Sequence, residues 1–213
     1  MLRILVTDDH EVVRRGICTL LQSHQGWEVC GEAVDGRQAA EMTSQLKPDV
    51  VILDIGMPNL NGLDAARQIL RHNTKQKILI LTVSDSEAVV REVLAAGARG
   101  YLLKSDAAKD LVSAVQALER GATFVTSKVR SALDVCLNRS DQASLPALTG
   151  REREILQLVA EGKSSKEVAV ALNLSVKTAE THRSNIMRKL DIHSVTELVL
   201  YAVRNALVHI ERL

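Results

Sequence analysis

Residues 50–54 read Val-Val-Ile-Leu-Asp, an unbroken apolar run that ends on a carboxylate. A run of this kind is typical of a strand that is buried on both faces of a parallel sheet. Similar runs recur along the first part of the chain, and the stretches between them carry apolar residues at helical spacing. The other runs lie at 2–6, 28–29, 78–81 and 100–103, and the helical stretches at 12–21, 39–46, 65–70, 88–96 and 111–118. This alternation predicts an α/β domain with a doubly wound five-stranded parallel sheet, whose ligands bind at the carboxyl ends of the strands.

The composition is typical of a soluble chain with aliphatic cores. Apolar residues make up 46% of the sequence and aromatic residues only 2%, so stacking of nucleic-acid bases on aromatic side chains is not expected. Cys18, Cys30 and Cys136 form no CxxC pair, which argues against a disulfide framework and a zinc site. No apolar stretch approaches the roughly 20 residues that are needed to span a bilayer. We therefore expect a cytoplasmic protein with no membrane contact.

The second part of the chain has a different pattern. Strand signals end after Gly121, and residues 138–148 contain Ser, Asp, Gln and Pro, which indicates a linker. Four helix starts follow, each marked by a capping hydroxyl, and three of them form capping boxes with a Glu three residues later. The boxes are Thr149/Glu152, Ser164/Glu167 and Ser194/Glu197, Ser175 is the remaining cap, and Gly162 and Asn173 stand where the first two helices would end. The sequence thus predicts one domain at 1–120, a linker at 121–145 that could be partly helical, and a small all-α four-helix domain at 146–213.

Acidic side chains follow the first and third predicted strands. Asp8 and Asp9 close the first strand and Asp54 closes the third, and in a sheet of this winding these two strand ends are adjacent. Three converging carboxylates raise one another's pKa unless a cation neutralises them, and oxygen ligands of this type favour Mg²⁺. A carboxylate can also act as a nucleophile toward phosphorus, in a transfer that requires cancellation of charge on the phosphoryl oxygens. Thr82 and Lys104 end the fourth and fifth strands, so a hydroxyl donor and an ammonium reach the same edge of the sheet.

The residues at these strand ends resemble a known family. The stretches 6–10 (Val-Thr-Asp-Asp-His), 54–58 (Asp-Ile-Gly-Met-Pro), 81–82 (Leu-Thr) and 100–104 (Gly-Tyr-Leu-Leu-Lys) are similar to the motifs of a response-regulator receiver domain, over about residues 1–120. The resemblance implies a flavodoxin-like fold and phosphorylation of Asp54 by a histidine kinase. It further implies that Asp8, Asp9, Asp54 and the Gly56 carbonyl hold Mg²⁺, that Thr82 and Lys104 sense the phosphoryl group, and that Tyr101 occupies the aromatic-switch position.

Two positions depart from the pattern of many receivers. Val83 follows the switch threonine where a smaller residue is common, so phosphoryl access and turnover could differ. Ser105 follows Lys104 where proline is common, and a cis peptide bond at that position would be costly without proline. Neither change removes a group that the chemistry requires.

A basic segment lies in the second domain. Between residues 163 and 189 basic residues outnumber acidic ones six to two, which suits a polyanion but also a solvated charged face. Within 175–190 one side can be apolar (Val176, Ala179, Ile186, Met187, Leu190) and the other polar (Lys177, Glu180, Thr181, Ser184, Arg188). A helix at 165–172 and a short turn at 173–175 precede it, which predicts a helix-turn-helix. On this pattern alone, a purely structural helical bundle is an equal alternative to DNA binding.

The same segment resembles the LuxR-type DNA-binding domain. The similar motifs are 148–162, 166–169 and 174–190, within about residues 145–210, and after a receiver they resemble the NarL/FixJ subfamily. The resemblance implies base contacts by Glu180, Thr181 and Ser184, and phosphate contacts by Lys166, Lys177, Thr178, Arg183, Arg188 and Lys189. It also implies a homodimer that reads two half-sites. In the last helix, Leu198, Val199 and Ala202 lie on one side, where they could pack on the bundle and on a second copy.

Glu180 departs from some relatives, which carry a lysine at this position. A carboxylate only accepts hydrogen bonds, so Glu180 would favour a cytosine N4 donor and change the target sequence. The alternative is that it pairs with Lys177 or Arg183 on its own helix. The histidines, His10 and His182 among them, lack the spacing of metal ligands and are expected in core or surface positions.

Together these features predict a response regulator in which phosphorylation of Asp54 controls dimerisation and sequence-specific DNA binding, and so transcription. Its partners would be a sensor histidine kinase, promoter half-sites in double-stranded DNA and a second copy, with RNA polymerase as a further candidate. The chain would take part in phosphotransfer and self-dephosphorylation without being a dedicated enzyme. Three alternatives are an aspartate-nucleophile phosphohydrolase, which needs a second Asp where Gly56 stands, a regulator that dimerises without phosphate, and an adaptor with no DNA target.

Overall fold

The computed structural model describes residues 1–126, 148–205 and 207–208. The chain divides into two compact units, Met1–Ser140 and Asp141–Leu213, and each has its own hydrophobic core. The predicted linker from residue 127 onward, with any helix in it, lies outside the described residues.

The first unit is built on a parallel sheet with the strand order β2-β1-β3-β4-β5-β6. The strands are β1 (Leu2–Thr7), β2 (Trp27–Ala33), β3 (Val50–Asp54), β4 (Lys77–Thr82), β5 (Gly100–Leu103) and β6 (Phe124–Val125). The helices are α1 (Glu11–Gln22), α2 (Gly36–Leu46), α3 (Gly62–His72), α4 (Glu87–Ala95) and α5 (Ala107–Glu119), with a 3₁₀ turn (Lys104–Asp106) before α5. The predicted doubly wound parallel sheet is confirmed, and all of its strands end at the same edge.

Strand β6 corrects the prediction of five strands. It pairs in parallel with β5, where Gly100 faces Phe124 and Tyr101 faces Val125. A strand of two residues carries no periodic signal, and the turn at Gly121, which has a φ of 77°, marks only the end of α5. Strand β6 therefore forms because it pairs with β5, and this contact between distant residues is not visible in the local sequence.

The apolar runs of the sequence form the core of the first unit. Every residue of β3 is buried, because β1 and β4 flank it in the sheet and helices cover its faces. Helices α1 and α5 share one cluster with Ile4, Ile52 and Leu79 of the central strands. Asp54 is the last residue of β3, so it lies at the carboxyl end of a buried strand, next to the apolar core.

Residues 148–205 of the second unit form the four predicted helices, α6 (Gly150–Ala160), α7 (Ser165–Ala171), α8 (Val176–Leu190) and α9 (Val195–Arg204). Ile155, Ile186, Leu198 and Ala202 are fully buried in its core. Helices α7 and α8 are joined by the short turn of a helix-turn-helix, in which Asn173 adopts a φ of 52°. Within the described residues, no helix is both long enough and apolar enough to cross a membrane.

The helix caps agree with the sequence in three of four cases. Full capping boxes form at Thr149 and Ser164, and the Ser175 hydroxyl accepts a hydrogen bond from the Thr178 N–H. The box predicted at Ser194 is only half formed. Its hydroxyl accepts from the backbone of Glu197, but the Glu197 carboxylate accepts from the N–H of His193 at 2.9 Å, one residue before the cap.

Candidate functional site

The adjacent ends of β1 and β3 bring the predicted acidic residues together. Asp8 and Asp54 are both buried, and Asp9 is partly exposed. The ligand atoms of Asp8, Asp9, His10 and Asp54 all lie within 4.8 Å of one another. His10, which was expected in a core or surface position and not as a metal ligand, lies beside these carboxylates. Its ring Nδ1 is 2.8 Å from Asp9 Oδ1, and its backbone N–H donates to Asp8 Oδ1 at 2.9 Å.

Lys104 completes this cluster from the end of β5. Its Nζ lies 2.8 Å from Oδ2 of Asp54 and 2.8 Å from Oδ2 of Asp8. The contact with Asp54 is a hydrogen bond, whereas Asp8 Oδ2 and Asp9 Oδ1 are buried oxygens that receive no well-aligned hydrogen bond. One ammonium therefore faces several carboxylates, and two oxygens keep unused acceptor capacity.

Burial dominates the ionisation of the pocket. The pKa of Asp54 is raised, first by burial and further by the charge of Asp8, against the lowering effect of Lys104. Burial alone would lower the pKa of Lys104, but the charge of Asp54, the hydrogen bond to it and the ion pair with Asp8 outweigh burial and raise that pKa. Lys104 accordingly stays an ammonium at neutral pH.

The backbone around Asp54 leaves no spare room. A Cβ atom on Gly62 would lie 1.8 Å from the carbonyl oxygen of Asp54, so only glycine fits at the start of α3. The backbone of Gly56 hydrogen-bonds the Asp54 carboxyl group. That its carbonyl oxygen also binds a metal ion stays a prediction.

The two predicted switch residues, Thr82 and Tyr101, both form hydrogen bonds with the backbone of Ser84, a residue that no sequence motif marks. Thr82 is buried, and its Oγ1 accepts a hydrogen bond from the Ser84 N–H at 3.1 Å. The Tyr101 ring is fully buried, and its hydroxyl donates to the Ser84 carbonyl at 2.5 Å. Burial, with the nearby charge of Asp85, raises the pKa of Tyr101. The inward tyrosine and the threonine are thus joined through one backbone residue.

The two departures from the receiver pattern lie close to this pocket. The residue after the switch threonine, Val83, is 65% exposed. No cis peptide bond occurs in the described part of the chain, so the bond between Lys104 and Ser105 is trans.

Helix α8 presents the predicted polar face to solvent. The residues that were expected to contact bases or phosphates from its outer side are exposed: Lys177, Thr178, Glu180, Thr181, Ser184 and Arg188. Lys166 of α7 is exposed as well, and Arg183 is half-buried. Val176, which was expected on the apolar side, is 39% exposed because it is the first residue of the helix. The buried side consists of Ala179 and Ile186, with Met187 and Leu190 partly buried against the core.

The described residues offer Glu180 no hydrogen bond and no ion pair. The alternative that it pairs with Lys177 or Arg183 is therefore not observed. By contrast, two neighbours on the helix are engaged locally: Thr181 Oγ1 donates to the Lys177 carbonyl at 2.8 Å, and Arg188 donates to Asn185 Oδ1 at 3.1 Å.

Lys189 differs from the other basic residues of α8. Its ammonium lies 2.8 Å from both carboxylate oxygens of Glu152 on α6. The resemblance to the LuxR-type domain implies a phosphate contact for Lys189, and nothing in the sequence connects it with a residue 37 positions earlier. The structure shows it in an ion pair inside its own domain, and the phosphate contact stays a prediction.

The predicted dimerisation residues need a correction. Leu198 and Ala202 have no exposed surface and belong to the core of their own domain, so neither can contact a second copy while the bundle is packed. Val199 is half-buried. The exposed apolar side chains of α9 are Val195 and Leu200, each 47% exposed.

Comparison with known proteins agrees with both units. Residues 4–116 match the model of the response regulator receiver domain, and residues 146–202 match that of the luxR family of bacterial regulatory proteins. The transcriptional regulatory protein LiaR of Bacillus subtilis is 40% identical over 211 residues, which cover 98% of this chain and 100% of LiaR. The oxygen regulatory protein NreC of Staphylococcus carnosus is 39% identical over 215 residues, which cover 97% of this chain and 99% of NreC.

Solved structures point the same way. RcsB from Salmonella enterica serovar Typhimurium, bound to the promoter rprA in the presence of phosphomimetic BeF₃⁻, is similar with a TM-score of 0.60 and 30% identity, over 94% of this chain and 98% of RcsB. A LuxR-family two-component response regulator from Aurantimonas sp. SI85-9A1 has a TM-score of 0.62 and 30% identity, over 64% of this chain and 98% of its own.

The receiver match alone covers more than half of the chain, and full-length relatives match nearly all of it. The chain therefore belongs to the NarL/FixJ family of two-component response regulators, in which a receiver precedes a LuxR-type helix-turn-helix, and it is a regulator of transcription.

Proposed function

We propose that Asp54 accepts a phosphoryl group from a phosphohistidine of a sensor kinase, and that the phosphorylated chain binds promoter half-sites as a homodimer through α8. The observation that carries this proposal is Lys104, whose ammonium lies 2.8 Å from the oxygens of both Asp8 and Asp54 at the sheet edge. The receiver would extend beyond the boundary at residue 120 that the sequence suggests, because β6 (Phe124–Val125) belongs to its sheet. The DNA-binding domain would occupy residues 146–213, with the linker between the two.

In the transfer, a carboxylate oxygen of Asp54 attacks phosphorus. The P–N bond of the phosphohistidine breaks, and the imidazole nitrogen takes up a proton. Because Lys104 is held as an ammonium, it can exchange its ion pair with the carboxylate for one with the phosphoryl oxygens, and no proton transfer is needed. Self-dephosphorylation is the attack of water on the same phosphorus, which returns Asp54 to a carboxylate and releases phosphate.

Receiver domains generally bind Mg²⁺ in an acidic pocket, and the residues present here fit that ion. Asp8, Asp9 and Asp54 would supply oxygen ligands. Within the described residues, Asp8 Oδ2 and Asp9 Oδ1 receive no aligned hydrogen bond, although Lys104 Nζ and His10 Nδ1 lie 2.8 Å from them. The Gly56 carbonyl would be a further ligand. When bound, the ion would neutralise charge on the phosphoryl oxygens.

Thr82, Tyr101 and Ser84 form the proposed readout. The Thr82 hydroxyl is a donor at the pocket edge, and its oxygen already holds the Ser84 N–H, while the Ser84 carbonyl holds Tyr101. A phosphoryl group that drew Thr82 toward it would therefore pull on the backbone segment that leads into α4.

Phosphorylation is tested by incubation of the full-length chain with acetyl phosphate and Mg²⁺, followed by mass spectrometry of the intact protein. We expect one phosphoryl group per chain, none on Asp54→Asn, and an unchanged yield on Asp85→Asn, an exposed carboxylate near the pocket. Removal of the metal with EDTA should abolish the reaction. Equal labelling of the wild type and Asp54→Asn would refute the assignment of Asp54.

The DNA interface divides into two sets. Glu180, Thr181 and Ser184 would meet base edges. Lys166, Lys177, Thr178, Arg183 and Arg188 would meet phosphates and give salt-dependent affinity. Since Glu180 is exposed and has no partner within the described residues, its carboxylate is available to accept from a cytosine N4 amino group.

Selection of binding sites from genomic fragments tests this interface. Glu180→Ala should relax the base preference at one position of each half-site by about 1–3 kcal/mol. Lys177→Met should weaken binding to every sequence and lower the salt slope by about 0.9. A chain that bound no DNA at any salt concentration would remove this half of the proposal.

For the homodimer, the outer side of α9 replaces the buried residues named from the sequence. Val195 and Leu200 are its exposed apolar side chains, and Val199 lies half-buried beside them. Leu200→Glu should shift sedimentation equilibrium of the phosphorylated chain toward monomer, whereas Val170→Glu, at another exposed apolar site on α7, should not. Transcription assays with purified RNA polymerase would test contact with that enzyme.

A further inference from the structure

Glu152 is a buried residue whose carboxylate oxygens contact donors at the start of α6 and at the end of α8. It is 5% exposed. The N–H and hydroxyl of Thr149 donate to its Oε2 at 2.8 and 3.0 Å, and Lys189 Nζ lies 2.8 Å from both of its oxygens. Burial alone would raise the pKa of Glu152, but the hydrogen bonds from Lys189 and Thr149 outweigh it and lower that pKa.

The two residues join distant parts of the domain. Lys189 lies in the last turn of α8, and Glu152 lies in the first turn of α6, 37 positions earlier in the chain. The pair therefore ties the carboxyl end of the proposed recognition helix to the amino end of the helix that opens the domain. A contact at this place can constrain the orientation of α8 against α6.

The same pair limits what Lys189 can do on DNA. A phosphate contact would compete with Glu152 for the donors of the ammonium. If the pair separated, Glu152, which is 5% exposed, would lose its cation and keep only the two donors of Thr149. Its neighbour Arg188 is exposed, and its described contact is one hydrogen bond to the Asn185 side chain. The two adjacent basic residues thus have different surroundings.

We infer that Lys189 is a positioning residue: with Glu152 it fixes the orientation of α8 and so the fit of the reading face, and it does not neutralise a DNA phosphate. The inference rests on the proposed DNA-binding function, and it names a role that the proposed contacts do not include. A phosphate-contact role predicts a change in the salt dependence of binding, and a positioning role does not.

The test is the slope of log affinity against log salt for the phosphorylated full-length chain on a selected site. Arg188→Met should lower the slope by about 0.9, the loss of one phosphate contact. Lys189→Met should leave the slope unchanged and weaken binding by about tenfold at every salt concentration, as a coupling energy in the usual range would do. Lys189→Arg, which keeps the ion pair, should restore most of the affinity.

Glu152→Gln supplies the matching variant. If Glu152 and Lys189 act as one clamp, Glu152→Gln weakens binding as much as Lys189→Met does, and the double variant is no worse than either single one. If Lys189 instead meets a phosphate, Glu152→Gln frees the ammonium and leaves affinity equal or higher, while Lys189→Met lowers the slope by about 0.9. That second pattern would overturn the inference.

Two controls keep the result decisive. Should a single variant fail to fold, Glu152→Met with Lys189→Met replaces the pair by apolar contact, which commonly keeps the fold, and the slope of that double variant is compared with the wild type. An unchanged slope supports the inference, and a slope lowered by about 0.9 contradicts it. A wild-type chain without salt-dependent DNA binding would refute the proposed function, an outcome distinct from failure of the clamp alone.

Discussion

Each half of this chain holds a buried carboxylate that is paired with a lysine, yet the pKa of the carboxyl group is shifted in opposite directions in the two pairs. At the sheet edge, Lys104 meets Asp54, and the pKa of Asp54 is raised, because burial and the charge of Asp8 outweigh the lysine. In the helical domain, Lys189 meets Glu152, and the pKa of Glu152 is lowered, because hydrogen bonds outweigh burial. A lysine beside a buried carboxylate thus accompanies a raised carboxylate pKa in one place and a lowered one in the other.

The difference lies in the supply of donors. Glu152 receives Lys189 and two donors of its own capping box. Around Asp54, one ammonium is shared with Asp8, and in the described part of the chain no aligned donor reaches Asp8 Oδ2 or Asp9 Oδ1. A carboxylate that is left short of donors keeps an oxygen for a cation or for phosphorus, whereas a saturated carboxylate does not.

The largest expected difference between the two regions comes from the glycines that open the neighbouring helices. Gly62→Ala would bring a Cβ to 1.8 Å from the Asp54 carbonyl oxygen, so it should cost the receiver at least about 3 kcal/mol and its phosphorylation. Gly150→Ala, whose Cβ would meet only the Arg153 side chain at 3.8 Å, should change stability by less than about 1 kcal/mol. Urea unfolding, followed by the fluorescence of Trp27 for the receiver and by circular dichroism for the helical domain, measures both. Similar costs for the two variants would show that the space around Asp54 is not as restricted as described.

Removal of each lysine sharpens the same comparison. Lys104→Met leaves two buried carboxylates without a cation and should cost about 3 kcal/mol in EDTA, with part of the loss recovered on addition of Mg²⁺. The Lys189 side chain is 40% exposed, so Lys189→Met should lower the free energy of unfolding by about 1 kcal/mol, and Mg²⁺ should not restore it. Rescue of Lys189→Met by the metal, or none for Lys104→Met, would reverse the assigned roles.

The pH dependence of stability should have opposite signs at the two sites. The raised pKa of Asp54 gives stability that is present below about pH 4 and is lost as the pH rises through its folded pKa. The lowered pKa of Glu152 gives stability that is present above about pH 4.3 and is lost as the pH falls through its folded pKa. At pH 7 in EDTA, Asp54→Asn should therefore stabilise the receiver and Glu152→Gln should destabilise the helical domain. Thermal unfolding of both variants between pH 3 and pH 7 checks this, and a shift of the same sign in both would contradict the contrast.

The smallest effect is expected at the rim of the pocket. Val83 is 65% exposed beside Thr82, so Val83→Ala should open the approach of water and shorten the life of the phosphoryl group by about threefold, or about 0.7 kcal/mol of barrier. Val176→Ala changes an exposed valine of the helical domain and should leave the lifetime of the phosphoryl group unchanged. Release of phosphate over time gives both rates, and an unaltered lifetime in Val83→Ala would place Val83 outside the approach to the phosphoryl group.

The sequence could predict the receiver pocket because parallel strands of a doubly wound sheet all end at one edge. Once the strands were located by their apolar runs, the residues that follow them, such as Asp8, Asp54 and Lys104, had to converge. The helices of the second domain were found in the same way, since caps such as Thr149 and Ser175 act over three residues. Local chemistry and a regular fold together carried these predictions.

What could not be predicted depends on contacts between distant residues. Strand β6 exists through its pairing with β5, and the ion pair of Lys189 with Glu152 exists through the packing of α8 on α6. Helical spacing placed Leu198 and Ala202 on an apolar side. It could not show whether that side packs in the core of its own domain or contacts a second copy of the chain. Ser84, which joins Thr82 to Tyr101, uses only backbone atoms and leaves no trace in residue type.

The central claim, that the reactive carboxylate governs the DNA-binding domain, is tested most directly by the affinity of the full-length chain for its selected DNA site, with and without acetyl phosphate and Mg²⁺. The wild type should bind at least about tenfold more tightly when phosphorylated, a coupling of about 1.4 kcal/mol. Asp54→Asn should show no response to the phosphoryl donor. Wild type and Asp54→Asn with the same affinity under both conditions would contradict the account.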